Sequence, residues 1–280
     1  MKTAPILIAL VAALAASPAY AQDDVSAAGV EAAVAVPVLD DAQRLFYNGR
    51  YEAADALTLE LCSPDLEGLA GCELRSSTLL FQIKRAVAGQ ADKEKALKAC
   101  ARCADWLAAF RTVTSSAQAV ARARLQSSPE DEATRFLLGK IDLNYVWLQL
   151  GVLGHKTGWG EYWEARKSLD AVLKENPDNI RARVSRAWID YIVDTQMPRG
   201  TRWVLGGGNK KRGLKTVREA AEVDGDVFIR AEAGFALWDM QVREKNIAGA
   251  VDTARGLARD FPENEELRRF LAVHESRVAD

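Results

Sequence analysis

A short residue pattern recurs along this chain and restricts the folds that are open to it. Ala165, Leu169 and Val172 are spaced four and three residues apart, so a helix places them on one face, and Pro177 then ends that helix. A second copy consists of Ala250, Ala254, Leu257 and Pro262. A small residue on an apolar face lets a second helix approach closely. The pattern therefore predicts helices that pack in pairs, with one helix over Trp159–Pro177.

Weaker copies extend the pattern towards the N terminus. They are Ala54, Thr58 and Leu61; Ala96, Cys100 and Cys103; and Gly213, Val217 and Ala220. Partner helices are predicted at 132–151, 180–194 and 227–242. Residues 93–104 have a helical pattern, and residues 90–128 fit either one helix or two helices with a break at 112–116.

The stretch Gly49-Arg50-Tyr51-Glu52-Ala53-Ala54 resembles the helix-turn-helix motif of the tetratricopeptide repeat (TPR) family. It has a glycine, an aromatic residue two positions later and an alanine three positions after that. The resemblance implies an all-α, TPR-like right-handed solenoid of antiparallel helix pairs from Asp40 onwards. Anchor spacings longer than the usual period predict two long inter-helix loops, Gly154–Gly160 and Thr195–Lys211. A polar C-terminal capping helix is expected over Glu263–Val278.

The N terminus predicts export. Lys2, an apolar run from Ile6 to Ala16 and the small residues of Ala19-Tyr20-Ala21 are typical of a signal peptide over residues 1–21. Residues 22–38 then read as a flexible lead-in, and residues 39–280 as a single helical-repeat domain whose first helix is capped by Asp40 or Asp41. We therefore expect a periplasmic or secreted protein, with no transmembrane segment in the mature chain.

Composition and charge argue against nucleic-acid binding. Without the predicted signal, whose only charged residue is Lys2, the chain has 36 basic and 39 acidic residues and a formal charge of −3. Such a balance lacks the basic excess that a nucleic acid attracts. The 49% hydrophobic and 27% charged residues are typical of a globular protein.

The four cysteines lie in the first half of the chain: Cys62, Cys72, Cys100 and Cys103. In an exported protein, Cys62 and Cys72 could form a disulfide across a turn-rich connection, and the spacing leaves this open. Cys100 and Cys103 fit buried thiols or a local disulfide better than a redox site, because no strand precedes them. A four-cysteine zinc site is the weakest alternative, because the first pair is too widely spaced.

Material for catalysis is scarce. His155 and His274 are the only histidines, and no nucleophile, zinc-protease or phosphate-loop motif is present. A histidine-based triad or metal site would lack members. The sequence therefore predicts a protein that is not an enzyme and needs no cofactor or metal.

The segment Thr195–Thr216 is unusually basic. It contains six cations and no acid: Arg199, Arg202, Lys210, Lys211, Arg212 and Lys215. Asn209 can cap the helix that follows, and N–H groups at that helix start could bind an anion beside the cations. The alternative is that a long loop uses glycines to fold back and basic residues for solubility.

Aromatic residues mark both predicted long loops. Trp203 lies within the basic segment, where burial against neighbouring helices is the default expectation. Trp159, Tyr162 and Trp163 could line a groove or belong to the core. We expect Trp163 in the core and Trp159, between two glycines, nearer the surface.

In TPR proteins the inner helix faces form a groove for peptides or partner helices. Here one such face contains Arg181, Val184, Trp188 and Tyr191, and a second contains Glu232, Phe235, Asp239 and Arg243. Val184 and Trp188 differ from the lysine and asparagine of the family's carboxylate clamp. The resulting hypothesis is a non-catalytic adaptor that binds another envelope protein or peptide through aromatic anchors and the basic segment. The alternative is an accessory protein of an envelope transport system that binds a small anionic or aromatic ligand.

Overall fold

The computed structural model describes residues 38–63, 68–155 and 157–278, and every regular element in these ranges is helical. The predicted signal peptide and most of the lead-in lie outside the described residues. The elements are α1 Leu39–Tyr47, α2 Tyr51–Leu61, α3 Leu69–Ala86, α4 Lys93–Ala99, α5 Cys103–Ser127, α6 Glu132–Val146, a π-helical segment Trp147–Leu153, α7 Trp159–Glu175, α8 Ile180–Gln196, α9 Arg199–Arg202, α10 Lys210–Ala221, α11 Val227–Arg243, α12 Ile247–Asp260 and α13 Glu265–Val278.

Most helices pack against their neighbours in the chain, with α3 on α5 and α8 on α10 across the short helices α4 and α9. The predicted apolar faces form these contacts, since Ala165, Leu169 and Val172 are fully buried. Small residues set the distance between helices: a Cβ on Gly213 would lie 2.8 Å from the carbonyl oxygen of Ala187, so α10 and α8 touch through their backbones.

Three predictions on local structure are wrong. Residues 90–128 form two helices, but the break lies at Cys100–Arg102 rather than at 112–116, so Ala96, Cys100 and Cys103 do not share one helix. Asp40 and Asp41 lie inside the first turn of α1, and the N-cap is Val38, without a side-chain cap. The loop predicted at Gly154–Gly160 ends at Gly158, because α7 begins at Trp159.

Both cysteine pairs are disulfides. Cys62 and Cys72 join the end of α2 to α3, with their Cα atoms 4.4 Å apart. Cys100 and Cys103 span the break between α4 and α5. Each bridge closes a connection between consecutive helices, which limits the conformations of those connections in the unfolded chain.

Five helices meet at a common centre in addition to their pairwise contacts. Helix α3 packs against α1 and α6, and α11 packs against α1 and α8. Asn144 of α6 donates hydrogen bonds to the hydroxyls of Ser76 and Ser77 at 2.8 and 3.0 Å. The inner helix faces therefore contact one another.

The first helix is hydrogen-bonded to the connection between α12 and α13. The side-chain Nδ2 of Asn264 donates to the backbone oxygen of Tyr47 at 2.7 Å. The Tyr47 ring stacks on Phe235, with centroids 5.5 Å apart, and also contacts Phe228 and Phe261. These contacts hold α1 against α11 and the α12–α13 connection.

Within the described ranges, no helix is both long and apolar enough to cross a lipid bilayer.

Candidate interaction surface

A small set of hydrogen bonds joins the first turns of α7 to the connection between α9 and α10. The Tyr162 hydroxyl donates to the carbonyl oxygen of Leu205 at 2.8 Å. Arg166 Nη1 donates to the same oxygen at 2.7 Å, and its Nη2 donates to the Gly206 oxygen at 2.8 Å. Gly206 has φ +75°, and a Cβ there would lie 2.7 Å from Arg166 Cζ. Only glycine fits this position without displacement.

Large apolar side chains are exposed on both of the joined segments. Trp203 is 77% exposed and Val204 51%, while Trp159 is 41% and Trp163 44% exposed on α7. We call these four residues the tryptophan surface. The ring of the buried Tyr162 contacts Trp159 and Trp163, with centroids 6.4 and 5.3 Å apart. The expectations that Trp203 and Trp163 are buried are wrong.

The phase of α7 explains the exposure of Trp163. Tyr162 lies three residues before Ala165 and therefore continues the buried face that includes Leu169 and Val172. Trp163 follows one position later, which turns it out of that face. Arg166 lies over its ring, with Cζ 5.9 Å from the centroid.

Ion pairs neutralise much of the basic segment. Arg212 Nη2 lies 2.7 Å from Asp190 Oδ2, and Lys210 Nζ lies 2.7 Å from Glu244 Oε2. Arg202 pairs with Asp194, and Lys215 pairs with Glu219. Among the described residues, Arg199 and Lys211 form no ion pair and are exposed.

The helix start that could bind an anion is occupied by the chain itself. The backbone N–H of Lys210 donates to Asp194 Oδ2 at 2.8 Å. Asn209 caps α10 as predicted, since its Oδ1 accepts from the N–H of Arg212 at 2.9 Å. A carboxylate at a helix N-terminus satisfies the same donors that an external anion would use.

The residues predicted to line an inner groove are mostly engaged in packing. Tyr191 is buried and its hydroxyl donates to Glu244 Oε1 at 2.9 Å, which links it to Lys210 through one carboxylate. Burial and this hydrogen bond raise the Tyr191 pKa. The partly buried Trp188 contacts the ring of Trp147 at 5.2 Å between centroids.

Arg181 belongs to a charged cluster at the centre of the fold. Its Nε donates to Glu232 Oε2 at 2.7 Å, and Lys140 Nζ donates to Glu232 Oε1 at 2.6 Å. Arg181 Nη2 also lies 3.8 Å from Glu73 Oε2. Burial disfavours the charge on Glu232, but Lys140 and Arg181 outweigh it and lower its pKa to about 2.

The predicted site residues therefore fall into four groups. Trp159 and Trp203 lie on the two bonded segments of the tryptophan surface. Tyr191, Lys210, Arg212, Arg202 and Trp188 pack along α8 and its neighbours, and Arg181 lies in the central cluster. Arg199 and Lys211 are exposed cations.

Two features of the structure were not predicted from the sequence. Glu73 and Lys140 were not distinguished from charged residues on solvated helix faces, although Phe136, Lys140 and Asn144 recur every fourth residue and so share a face. Asp142 is fully buried, and its Oδ1 accepts from Gln118 Nε2 at 2.7 Å.

Within the part of the chain that the structure describes, no group of three or more His, Cys, Asp or Glu side chains could hold a metal ion. His155 Nδ1 lies 3.0 Å from Gln149 Oε1, and His274 contacts the ring of Phe270.

Comparison of the chain with family models, curated proteins and solved structures finds no match.

Proposed function

We propose that this chain is an exported, TPR-type, non-catalytic interaction module that binds another envelope protein or a peptide through the tryptophan surface. The observation that carries the proposal is the exposure of Trp203, Trp163 and Trp159 on two segments joined by Tyr162 and Arg166. Exposed tryptophans on a rigid frame are typical of the residues that dominate binding energy in protein interfaces.

The TPR-type assignment draws on the helix order and on the buried faces. The anchor positions Ala54, Ala165, Gly213 and Ala250 are all buried, as a stack of helix pairs requires. The motif Gly49-Arg50-Tyr51 leads into the second helix of the first pair, since α2 starts at Tyr51.

The packing at the centre of the fold supports an outer rather than an inner binding surface. Lys140, Arg181 and Glu232 satisfy one another there, and Tyr191 is buried. A peptide entering between these faces would have to break their contacts. The tryptophan surface offers apolar area without such a cost.

The charge contribution to binding is expected to be small. Arg199 and Lys211 are the cations of the basic segment that lack an ion pair among the described residues, so an acidic residue on the partner would meet one of them. Exposed ion pairs are weakened by salt. We therefore expect an affinity that depends mainly on the aromatic side chains and only weakly on ionic strength.

The anion-binding alternative has less support. It relies on cations and free N–H groups at the start of α10, and Asp190, Asp194 and Glu244 occupy these groups.

Affinity capture from native envelope extract tests the proposal. The bait is the chain from Gln22 to Asp280, compared with Trp163→Ala/Trp203→Ala and with Leu59→Ala. Leu59 is a matched control because it is 57% exposed on α2. A protein retained by the unchanged chain and by Leu59→Ala, but lost by the double variant, supports the proposal. Equal retention by all three baits would refute the tryptophan surface as the contact.

A further inference from the structure

Helix α4, Lys93–Ala99, has no fully buried residue. Ala96 and Leu97 pack against the main apolar core and are partly buried, and most of the other residues of the helix are exposed. The helix packs on α5. Within the described ranges, no side chain of α4 forms a hydrogen bond or an ion pair with another helix. Noncovalent contacts therefore hold α4 in place only weakly.

The Cys100–Cys103 disulfide ties the end of α4 to the start of α5. Cys100 directly follows α4, and Cys103 is the first residue of α5. On the other side of the helix, residues 88–92 of the connection from α3 are all exposed and give it no support. The position of α4 therefore depends on this disulfide.

The two cysteines of this disulfide differ in exposure. Cys103 is fully buried, whereas Cys100 is half-buried. Disulfide exchange begins when a thiolate attacks one sulfur and the other sulfur leaves. An external thiolate reaches Cys100 first, so Cys103 is the leaving group.

The start of α5 suits a thiolate at Cys103. The N-cap residue, Arg102, provides no side-chain cap. The backbone N–H groups of Ala104 and Asp105 form no hydrogen bond within the described part of the chain. Unpaired N–H groups at a helix N-terminus stabilise a thiolate, and a stabilised thiolate is the better leaving group. The exposed side chains of Arg102 and Asp105 carry opposite charges, so the N–H groups are the main source of this stabilisation.

We propose that Cys100–Cys103 is an exchangeable disulfide that a dithiol reduces, and that its reduction releases α4. One thiolate of the dithiol attacks Cys100 Sγ, the bond to Cys103 breaks, and Cys103 leaves as a thiolate. The second thiolate of the dithiol then attacks its own sulfur in the mixed disulfide, and Cys100 leaves in turn. The dithiol loses two electrons and becomes a disulfide, and the two cysteine thiolates take up the two protons that it has lost.

Limited trypsin digestion of the full mature chain tests the release of α4. Lys93, Lys95 and Lys98 lie within the folded helix. After reduction with 1,4-dithiothreitol and alkylation of the free thiols, we expect cleavage at these lysines to be about tenfold faster or more, because proteolysis follows the population of the open form. Lys140, at the centre of the fold, should stay protected. An unchanged rate in α4 after loss of the disulfide, or equal cleavage at Lys140, would overturn the proposal.

The second disulfide is a matched control for reactivity. Cys62 is half-buried and Cys72 is buried, as in the first pair, but both lie in the main apolar core, and the Cys72 N–H is already bonded to the Gly68 oxygen. We expect mass spectrometry of thiols trapped during a dithiothreitol titration to show reduction of Cys100–Cys103 at a concentration about tenfold lower than that needed for Cys62–Cys72. Equal or earlier reduction of Cys62–Cys72 would contradict the proposal.

Two double variants separate the effects of the two disulfides. Cys100→Ser/Cys103→Ser should show the fast cleavage in α4 without any reductant, and dithiothreitol should not increase it further. Cys62→Ser/Cys72→Ser keeps the first disulfide and should still respond to dithiothreitol. Circular dichroism of each variant checks that the helices are retained. Slow cleavage in a folded Cys100→Ser/Cys103→Ser chain would show that the disulfide does not hold α4.

The exchangeable disulfide does not depend on the proposed partner interface. Trp163→Ala/Trp203→Ala should therefore show the same dithiothreitol titration and the same cleavage in α4 as the unchanged chain. A change in either would contradict the assignment of the switch to α4 and its disulfide.

Discussion

The side-chain Oδ1 of Asn48 accepts a hydrogen bond from the backbone N–H of Glu263 at 3.0 Å, across 215 positions of the sequence. Asn264 adds a bond in the opposite direction, from its Nδ2 to the oxygen of Tyr47. These two asparagines tie the α1–α2 turn to the α12–α13 connection. The helices at the two ends of residues 38–278 therefore stabilise each other.

Asn264→Asp should remove the hydrogen bond to Tyr47 and keep the helix cap that Asn264 provides. Asn264 Oδ1 also accepts from the N–H of Leu267, which an aspartate can do, but an aspartate cannot donate to Tyr47. Because the Tyr47 oxygen would lose its donor, we expect the free energy of unfolding to fall by about 1–3 kcal/mol in urea denaturation. Asn246→Asp, at the cap of α12, is the control. An equal loss in both would contradict a special role for Asn264.

Asp142 should make stability fall as pH rises. Burial and the neighbouring Glu164 raise the pKa of Asp142 to about 8, whereas burial of Glu164 is outweighed by Arg122, which lowers its pKa. The folded state therefore holds a proton on Asp142 that the unfolded chain has lost above about pH 4. The free energy of unfolding should decrease between about pH 5 and pH 8, by at most about 1.4 kcal/mol per pH unit from this group.

Asp142→Asn tests this pH dependence. The amide imitates the protonated acid, since it can accept from Gln118 and donate to Glu164. We expect urea denaturation at pH 5, 6.5 and 8 to show a smaller decrease for the variant than for the unchanged chain. The exposed Asp178→Asn controls for the loss of one charge. A variant that kept the full decrease would show that another group is responsible.

Gly206→Ala should weaken the frame of the tryptophan surface. Alanine at φ +75° is strained, and its Cβ would also collide with Arg166. Gly207→Ala is a matched control because Gly207 has φ +73° and no atom within 4 Å of the added Cβ. Each change should cost about 1–2 kcal/mol for the backbone conformation. The melting temperature of Gly206→Ala should be lower than that of Gly207→Ala, and equal values would mean that Arg166 moves aside freely.

Glu232→Gln should be strongly destabilising. The change leaves Lys140 without a carboxylate partner and Arg181 with only the more distant Glu73, so we expect a loss of about 3–5 kcal/mol in urea denaturation at pH 7. Adding Lys140→Met should recover part of this loss, because the unpaired charge is then removed. The lowered Glu232 pKa also predicts that this contribution is lost as pH falls from about 4.5 to about 2. A neutral effect of Glu232→Gln at pH 7 would contradict the central ion cluster.

Local features of the helices could be predicted from the sequence because their causes are local. Ala165, Leu169 and Val172 define a helix face by spacing alone, and α7 ends at Glu175, before Pro177, as predicted. The same spacing, continued back to Tyr162, would have placed Trp163 outside the face. The prediction that Trp163 is buried was wrong because the helical phase of this face was not extended back to Tyr162.

Contacts between distant segments could not be predicted in this way. The pairing of Arg181 with Glu232 and Glu73 depends on three helices that meet only in the folded chain. The sequence shows how many cations the basic segment contains, but it does not show which carboxylates pair with them. One indication of these partners was present in the sequence. Asp190 and Asp194 lie one turn apart near the end of α8, and that helix leads directly into the basic segment.

Site-specific photo-crosslinking in the native envelope tests the central claim most directly. The photoreactive residue p-benzoylphenylalanine is placed at position 203, at position 163 and, as a control of similar exposure, at position 59. The account predicts an adduct of the same envelope protein from positions 203 and 163 and none from position 59. Adducts of equal yield from all three positions, or from position 59 alone, would contradict the tryptophan surface as the partner interface.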